Sequence, residues 1–162
     1  MVSTINEQNN SSDKASPSPA SNTESFSALI VDDDHSFLKL LGLSLSLQPE
    51  IGVIDSTDNG TSAIEKAKAN DYDLIFIDAI MPGIDGYEIC TQLRAMPKYK
   101  HTPIIMVTGL TSPMDEGRGI IAGTTKYITK PIQQTAFKEV INRELTLLKI
   151  RKKLNPTDSV EA

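Results

Sequence analysis

Four short apolar runs of this chain each hand over to a residue that can do chemistry. Ala28-Leu29-Ile30-Val31 runs into Asp32, Asp33 and Asp34, and Leu74-Ile75-Phe76-Ile77 into Asp78. Ile104-Ile105-Met106-Val107 runs into Thr108, and Tyr127-Ile128-Thr129 into Lys130 and Pro131. If folding gathers these ends, several carboxylates share one crevice with a hydroxyl and an ammonium. Crowded carboxylates repel each other, and a hard divalent cation such as Mg²⁺ relieves that repulsion while keeping positions open for phosphate oxygens. An Asp beside such a cation can attack phosphorus and form an aspartyl phosphate. Lys130 then offers a cation to phosphate oxygens, and Thr108 a hydroxyl donor. In-line phosphoryl transfer asks mainly for this positioning and charge neutralisation. Taken singly, each residue has a plainer reading: Asp34 as a helix N-cap, Lys130-Pro131 as a surface loop, Thr108 as a strand end.

The elements that would gather them are legible. The apolar runs are near-continuous and rich in β-branched residues, as in strands buried on both faces of a parallel sheet. A weaker run, Gly52-Val53-Ile54, makes five strands. Between them lie helical patterns over about His35–Leu47, Thr61–Asn70, Tyr87–Ala95, Met114–Ala122 and Gln134–Leu154. Strands alternating with helices imply right-handed βαβ crossovers. The fold class is therefore α/β, a doubly wound five-stranded parallel sheet with helices on both faces. Sites in such sheets form outside the carboxyl ends of the strands, which is where Asp32, Asp33, Asp78, Thr108 and Lys130 stand. The last helix carries Phe137, Val140, Ile141, Leu145 and Leu148 on one face. Its end holds Lys149, Arg151, Lys152 and Lys153, placed against the helix dipole.

Composition narrows the function. The chain has 162 residues, 39% of them apolar, with a net charge of −5, which fits one domain with its own core. An acidic balance without a basic stripe argues against nucleic-acid binding. A single cysteine, Cys90, excludes an intramolecular disulfide and a cysteine zinc site. No apolar run approaches the length of a membrane helix, and no cationic-then-apolar leader is visible, so the expected location is the cytoplasm. Residues 1–25 are rich in Ser, Asn, Thr and Pro and read as a disordered tail. The domain is expected over 26–154, with a shorter tail at 155–162.

The segments Leu29–Asp34, Ile77–Gly86, Val107-Thr108-Gly109 and Tyr127–Pro131 resemble the motifs of response-regulator receiver domains, over about Phe26 to Lys153. The resemblance implies the strand order 2-1-3-4-5 of the CheY-like fold. It implies that Asp78 is the phosphoacceptor and that Asp32 and Asp33 form the acidic pair, with Asp33 the direct Mg²⁺ ligand and the Ile80 carbonyl another. Thr108 and Lys130 would contact the phosphoryl group, and Tyr127 would be the aromatic switch residue. The donor would be a histidine kinase or phosphotransfer protein. The output would be a protein contact through the fourth helix, fifth strand and fifth helix, by a receiver standing alone and catalysing its own phosphoryl transfer and slow dephosphorylation. Ile80 and Leu110 would flank the path of the hydrolytic water. The pattern Gly117-Arg118-Gly119 with Gly123–Tyr127 is similar to receivers of type IV pilus and twitching systems.

Two other classes fit part of the pattern. A haloacid-dehalogenase-type phosphatase also uses an Asp nucleophile, but expects a second Asp where Ile80 stands. A pseudo-receiver would bind partners without phosphorylation. Met81–Gly83 and Asp85-Gly86 are expected to turn the chain after Asp78, with glycine free to take positive φ. Gly109 leaves room beside Thr108. His35 and His101, and Tyr72, Tyr87 and Tyr99, read as packing or surface positions.

Overall fold

The computed structural model describes residues 25–155. The expected tails, 1–25 and 155–162, lie outside the described residues apart from one residue each. The strands are β1 (Phe26–Val31), β2 (Ile51–Thr57), β3 (Leu74–Ile77), β4 (Ile104–Thr108) and β5 (Lys126–Thr129). They alternate with α1 (His35–Ser46), α2 (Gly60–Ala69), α3 (Gly86–Ala95), α4 (Pro113–Ala122) and α5 (Gln134–Leu154). All pairings are parallel, and the order is β2-β1-β3-β4-β5. This is the CheY-like arrangement expected from the sequence.

The strands alternate their side chains between two apolar layers, because successive residues point to opposite faces. Leu29, Val31, Ile75, Ile77, Ile104 and Met106 meet α2, α3 and α4 on one side. Ala28, Ile30, Leu74, Phe76, Ile105 and Val107 meet α1 and α5 on the other. β3 and β4 are therefore buried throughout and β1 at all but Ser27, whereas β2, at the sheet edge, shows a mixed pattern. It is longer than the Gly52–Ile54 run because Asp55, Ser56 and Thr57 pair with Leu29, Ile30 and Val31. An edge strand needs apolar residues on only part of its surface, so its polar half carries no sequence signal.

The helix starts follow their caps. The Asp34 carboxylate accepts from the Ser36 and Phe37 amides, as expected of an N-cap. Ser112 and Asp115 form a reciprocal capping box that opens α4 behind Pro113. Gly123 ends α4 with φ of 101°, a left-handed conformation that glycine takes without strain. Arg94, half-buried, fastens this end. Its guanidinium donates to the carbonyls of Gly123 (2.8 Å), Tyr99 (2.7 Å) and Thr102 (2.7 Å).

Candidate functional site

Each strand end at the carboxyl edge is fixed by one further rung of the sheet. The Asp32 amide donates to the Thr57 carbonyl (3.1 Å), the Asp78 amide to Val31 (2.9 Å), and the Lys130 amide to Thr108 (2.8 Å). These bonds carry sheet geometry into the residues after the strands, so their side chains start from rigid positions. Asp32 and Thr108 are buried, Asp78 nearly so, and Asp33 is exposed at the mouth.

Lys130 ties the cluster together. Its Nζ donates to Asp32 Oδ2 at 2.7 Å and to Asp78 Oδ2 at 3.1 Å. It also lies 4.0 Å from the centre of the Phe37 ring, where the ring's negative face attracts a cation. The Asp34 amide donates to Asp32 Oδ1 (2.9 Å), and the Ile80 amide approaches Asp78 Oδ1 (3.3 Å). Asp32, Asp33 and Asp78 each offer a carboxylate oxygen, all within 4.8 Å of one another. An all-oxygen, anionic donor set with one member open to solvent suits a hard cation such as Mg²⁺.

The electrostatics explain what such a cation would relieve. Burial raises the Asp32 pKa, and the nearby Asp78 charge adds to this, against the lowering by hydrogen bonds from Lys130 and the Asp34 amide. Burial pulls the Lys130 pKa down, but Asp32 and Asp78 outweigh it and the net shift is upward. The signs differ in consequence. A raised lysine pKa stabilises the fold while the ammonium is charged and fades as pH rises through it. A raised carboxylate pKa favours the fold at low pH, so the ionised Asp32 of neutral solution is a cost that positive charge offsets.

Around this cluster, Thr108 ends the strand beside β3, with Ile77 paired to Met106. Its Oγ1 accepts from the Leu110 amide at 3.3 Å, leaving the hydroxyl hydrogen free to be donated. A Cβ on Gly109 would meet nothing within 4 Å, so the space beside Thr108 is open. Tyr127 is half-buried, and its hydroxyl donates to the Leu110 carbonyl at 3.0 Å. Burial is the first cause of its raised pKa, followed by the neighbouring Tyr87 phenol.

The turn after Asp78 differs from the sequence expectation in one respect. Gly83 has φ of 80°, but Gly86 opens α3 in helical geometry. What Gly86 requires is proximity. A Cβ there would lie 2.0 Å from the Asp78 carbonyl oxygen and 2.8 Å from the Ala79 Cα. The Ile80 side chain is largely exposed, while Leu110 is half-buried and packs against the core layer on the α2, α3 and α4 side of the sheet. Two contacts were not foreseen: Phe37 beneath Lys130, and Tyr87, whose hydroxyl reaches the Asp115 carbonyl at 3.1 Å. Only the apolar i, i+3 spacing of α1 marks the first, and nothing local marks the second. His35 stands at the surface, 3.0 Å from Asp58, and His101 is exposed. Cys90 is buried, and its thiol pKa is pushed up to about 11 by desolvation, so it is a packing residue.

A family model for the response regulator receiver domain matches residues 28–142. The chain belongs to the response-regulator receiver family. The receiver is 40% identical over 121 residues to the transcriptional regulatory protein ResD of Bacillus subtilis, covering 75% of this chain and 47% of ResD. It is 33% identical over 130 residues to the response regulator ArlR of Staphylococcus saprophyticus, covering 80% of this chain and 56% of ArlR. The receiver thus spans about half the length of these curated relatives. The solved structure of Vibrio cholerae chemotaxis protein CheY4 superposes with a TM-score of 0.68 at 29% identity, over 73% of this chain and 97% of that one. Family membership makes this a component of two-component signal transduction and sets aside the haloacid-dehalogenase alternative. Among the described residues, no helix is long and apolar enough to cross a membrane.

Proposed function

We propose that this receiver takes a phosphoryl group on Asp78 and signals by rearranging a protein-binding face. The observation that carries this reading is the Lys130 ammonium held between Asp32 and Asp78, with the Asp33 carboxylate close by. A phosphohistidine of a histidine kinase or phosphotransfer protein would be the physiological donor, approached by an Asp78 carboxylate oxygen in line with the breaking phosphorus–nitrogen bond. Asp33 and Asp78 would hold Mg²⁺ directly, with Asp32 and the Ile80 carbonyl in support. Bound there, the ion would neutralise carboxylate repulsion and charge on the transferring group. Lys130 would turn one of its donors to a phosphoryl oxygen, and the Thr108 hydroxyl would donate to another. The product is a mixed anhydride in a crevice whose donors are already in place.

Thr108 and Tyr127 would pass the change to the face made by α4, β5 and α5. That face carries exposed Met114, Ile120 and Ile121 on α4 and Leu147 and Ile150 on α5. A partner preferring the phosphorylated arrangement must raise the receiver's affinity for a phosphoryl mimic by the same factor.

Calorimetry with beryllofluoride, a phosphoryl mimic, tests the site. Saturable one-to-one binding that requires Mg²⁺ and disappears in EDTA is expected. Binding that ignores EDTA, or persists in the variant Asp33→Ala, would refute the metal assignment.

The lifetime of the phosphoryl group follows from what borders the site. An aspartyl phosphate is lost when water attacks in line, and neither Ile80 nor Leu110 can orient a water. Ile80 is exposed at the mouth, whereas Leu110 is partly turned into the core, so Ile80 supplies most of the shield. The double variant Ile80→Asn with Leu110→Glu should lose its phosphoryl group about 10-fold faster, less than the roughly 100-fold or more of a fully positioned acid or base, because these groups only orient the water. Decay followed by intact mass at equal Mg²⁺ occupancy reads this out. An unchanged rate would leave Lys130, Thr108 and the metal as the sole determinants.

A further inference from the structure

Helix α4 is held by two tyrosines that come from different elements, β5 and α3. Tyr127, on β5, donates to the Leu110 carbonyl in the loop that leads into α4. Its ring fits beneath the helix because residue 119 is glycine; a Cβ there would lie 3.0 Å from Tyr127 Cδ2. Tyr87, on α3, is buried, and its hydroxyl donates to the Asp115 carbonyl in the first turn of α4, 3.1 Å away. The Arg118 guanidinium lies 4.2 Å from the centre of the Tyr87 ring and 3.8 Å from the Asp85 carboxylate. Tyr87 is thus clamped between its own helix start and α4.

What lies behind Tyr87 gives this contact its significance. The preceding residue, Gly86, is pressed against the acceptor's backbone so closely that a Cβ would fall 2.0 Å from the Asp78 carbonyl oxygen. The Gly86 amide donates to the Ala79 carbonyl at 2.8 Å, and the Asp85 carboxylate caps the helix by accepting from the Glu88 amide at 2.9 Å. No slack separates the backbone of Asp78 and Ala79 from the first turn of α3. Close-packed contacts transmit small displacements instead of absorbing them. A shift at the acceptor backbone must move Gly86, and the next residue holds α4.

We propose that Tyr87 is a second positioning residue of the switch, transmitting movement of the Asp78–Ala79 backbone through Gly86 to the first turn of α4. This route runs through α3, where the one through Thr108 runs along β4 and β5, and the two meet at α4, where the Tyr87 and Tyr127 phenols are neighbours. It rests on the reading that Asp78 is the loaded residue. The Tyr87 hydroxyl biases α4 between two arrangements, and loading at Asp78 changes the bias.

The test is hydrogen exchange of the α4 amides with and without beryllofluoride and Mg²⁺, in the wild type and in Tyr87→Phe. The Phe variant keeps the ring under Arg118 and removes only the hydroxyl bond to Asp115. Calorimetry on the same samples measures loading. The expected result is loading within about 3-fold of wild type, with the loading-induced change in exchange at residues 115–119 reduced to a third or less. Tyr72→Phe is the control. It also removes a phenol, one that bonds Asp55 away from α4, and it should retain the full change. Equal changes in wild type and Tyr87→Phe, with loading intact, overturn the role of Tyr87 alone. Loss of coupling in both Phe variants also overturns it, since the effect would then be general loosening. Absence of loading in the wild type overturns the acceptor reading and this proposal with it.

Discussion

Replacing Lys130 with Met should lower phosphoryl transfer from a small donor such as acetyl phosphate about 100- to 1,000-fold. That is the range lost when one preorganised charge-stabilising donor is removed. Met keeps an unbranched stem of similar length and deletes the ammonium, which also lies 4.0 Å from the Phe37 ring centre. In the wild type that ammonium bridges Asp32 and Asp78 at 2.7 and 3.1 Å. Two consequences separate this account from simple damage. Without the ammonium, two facing carboxylates are left uncompensated, so the metal-free variant should melt at a lower temperature. The same loss removes a cation that competes for carboxylate oxygens, so Mg²⁺ should bind the variant at least as tightly as the wild type. A variant that binds Mg²⁺ normally and is phosphorylated at the wild-type rate would remove Lys130 from the mechanism.

Substituting Gly86 with Ala should be the most damaging change of a single methyl group outside the acidic cluster. The new Cβ would lie 2.0 Å from the Asp78 carbonyl oxygen and 2.8 Å from both the Asp78 carbonyl carbon and the Ala79 Cα. All three are backbone atoms, so no side chain can rotate away. Overpacking of this kind costs about 1–3 kcal/mol, and with rigid backbone on both sides the upper end applies. For a domain of this size that corresponds to a fall in Tm of roughly 10 °C. The function should suffer more than the stability. A displacement of about 1 Å in a positioned reactant costs on the order of 100-fold in rate, and the displaced atoms belong to Asp78, the proposed acceptor. Gly117→Ala is the comparison, because a Cβ at that helical position meets nothing within 4 Å. It should raise the Tm slightly, since alanine is the better helix former by about 1 kcal/mol. Similar melting temperatures for the two variants would contradict the contact inferred at Gly86.

These expectations also mark where sequence reasoning reaches its limit. Asp32, Asp33, Asp78, Thr108 and Lys130 were readable because each follows a strand whose apolar run is unmistakable. The strands are readable because both of their faces are buried. The polar half of β2 was invisible for the converse reason. Asp34 announced itself as a cap, since N-caps are local. The role of Gly86 was credited to backbone freedom, which glycine in a turn suggests. The actual requirement, contact with the Asp78 carbonyl, appears only once α3 is laid against β3. Tyr87 and Arg94 are harder still. Their partners are backbone carbonyls, Asp115 for one and Gly123, Tyr99 and Thr102 for the other. A carbonyl has no residue type, so no spacing rule points to it. The α5 cations were assigned to the helix dipole, yet Lys149 pairs with Glu50 at 2.8 Å and Arg151 holds the His101 carbonyl at 2.7 Å.

The acidic cluster and its lysine come together through strand ends far apart in sequence, and the function proposed for them is phosphoryl transfer to Asp78. The most direct measurement is intact mass after incubation with acetyl phosphate and Mg²⁺, for the wild type and for Asp78→Asn. The wild type is expected to gain one phosphoryl group, lost on chelation of Mg²⁺ before donor is added, and Asp78→Asn to gain none. Equal incorporation into Asp78→Asn, or no incorporation into a folded wild type that binds Mg²⁺, would contradict the assignment of Asp78 as the acceptor.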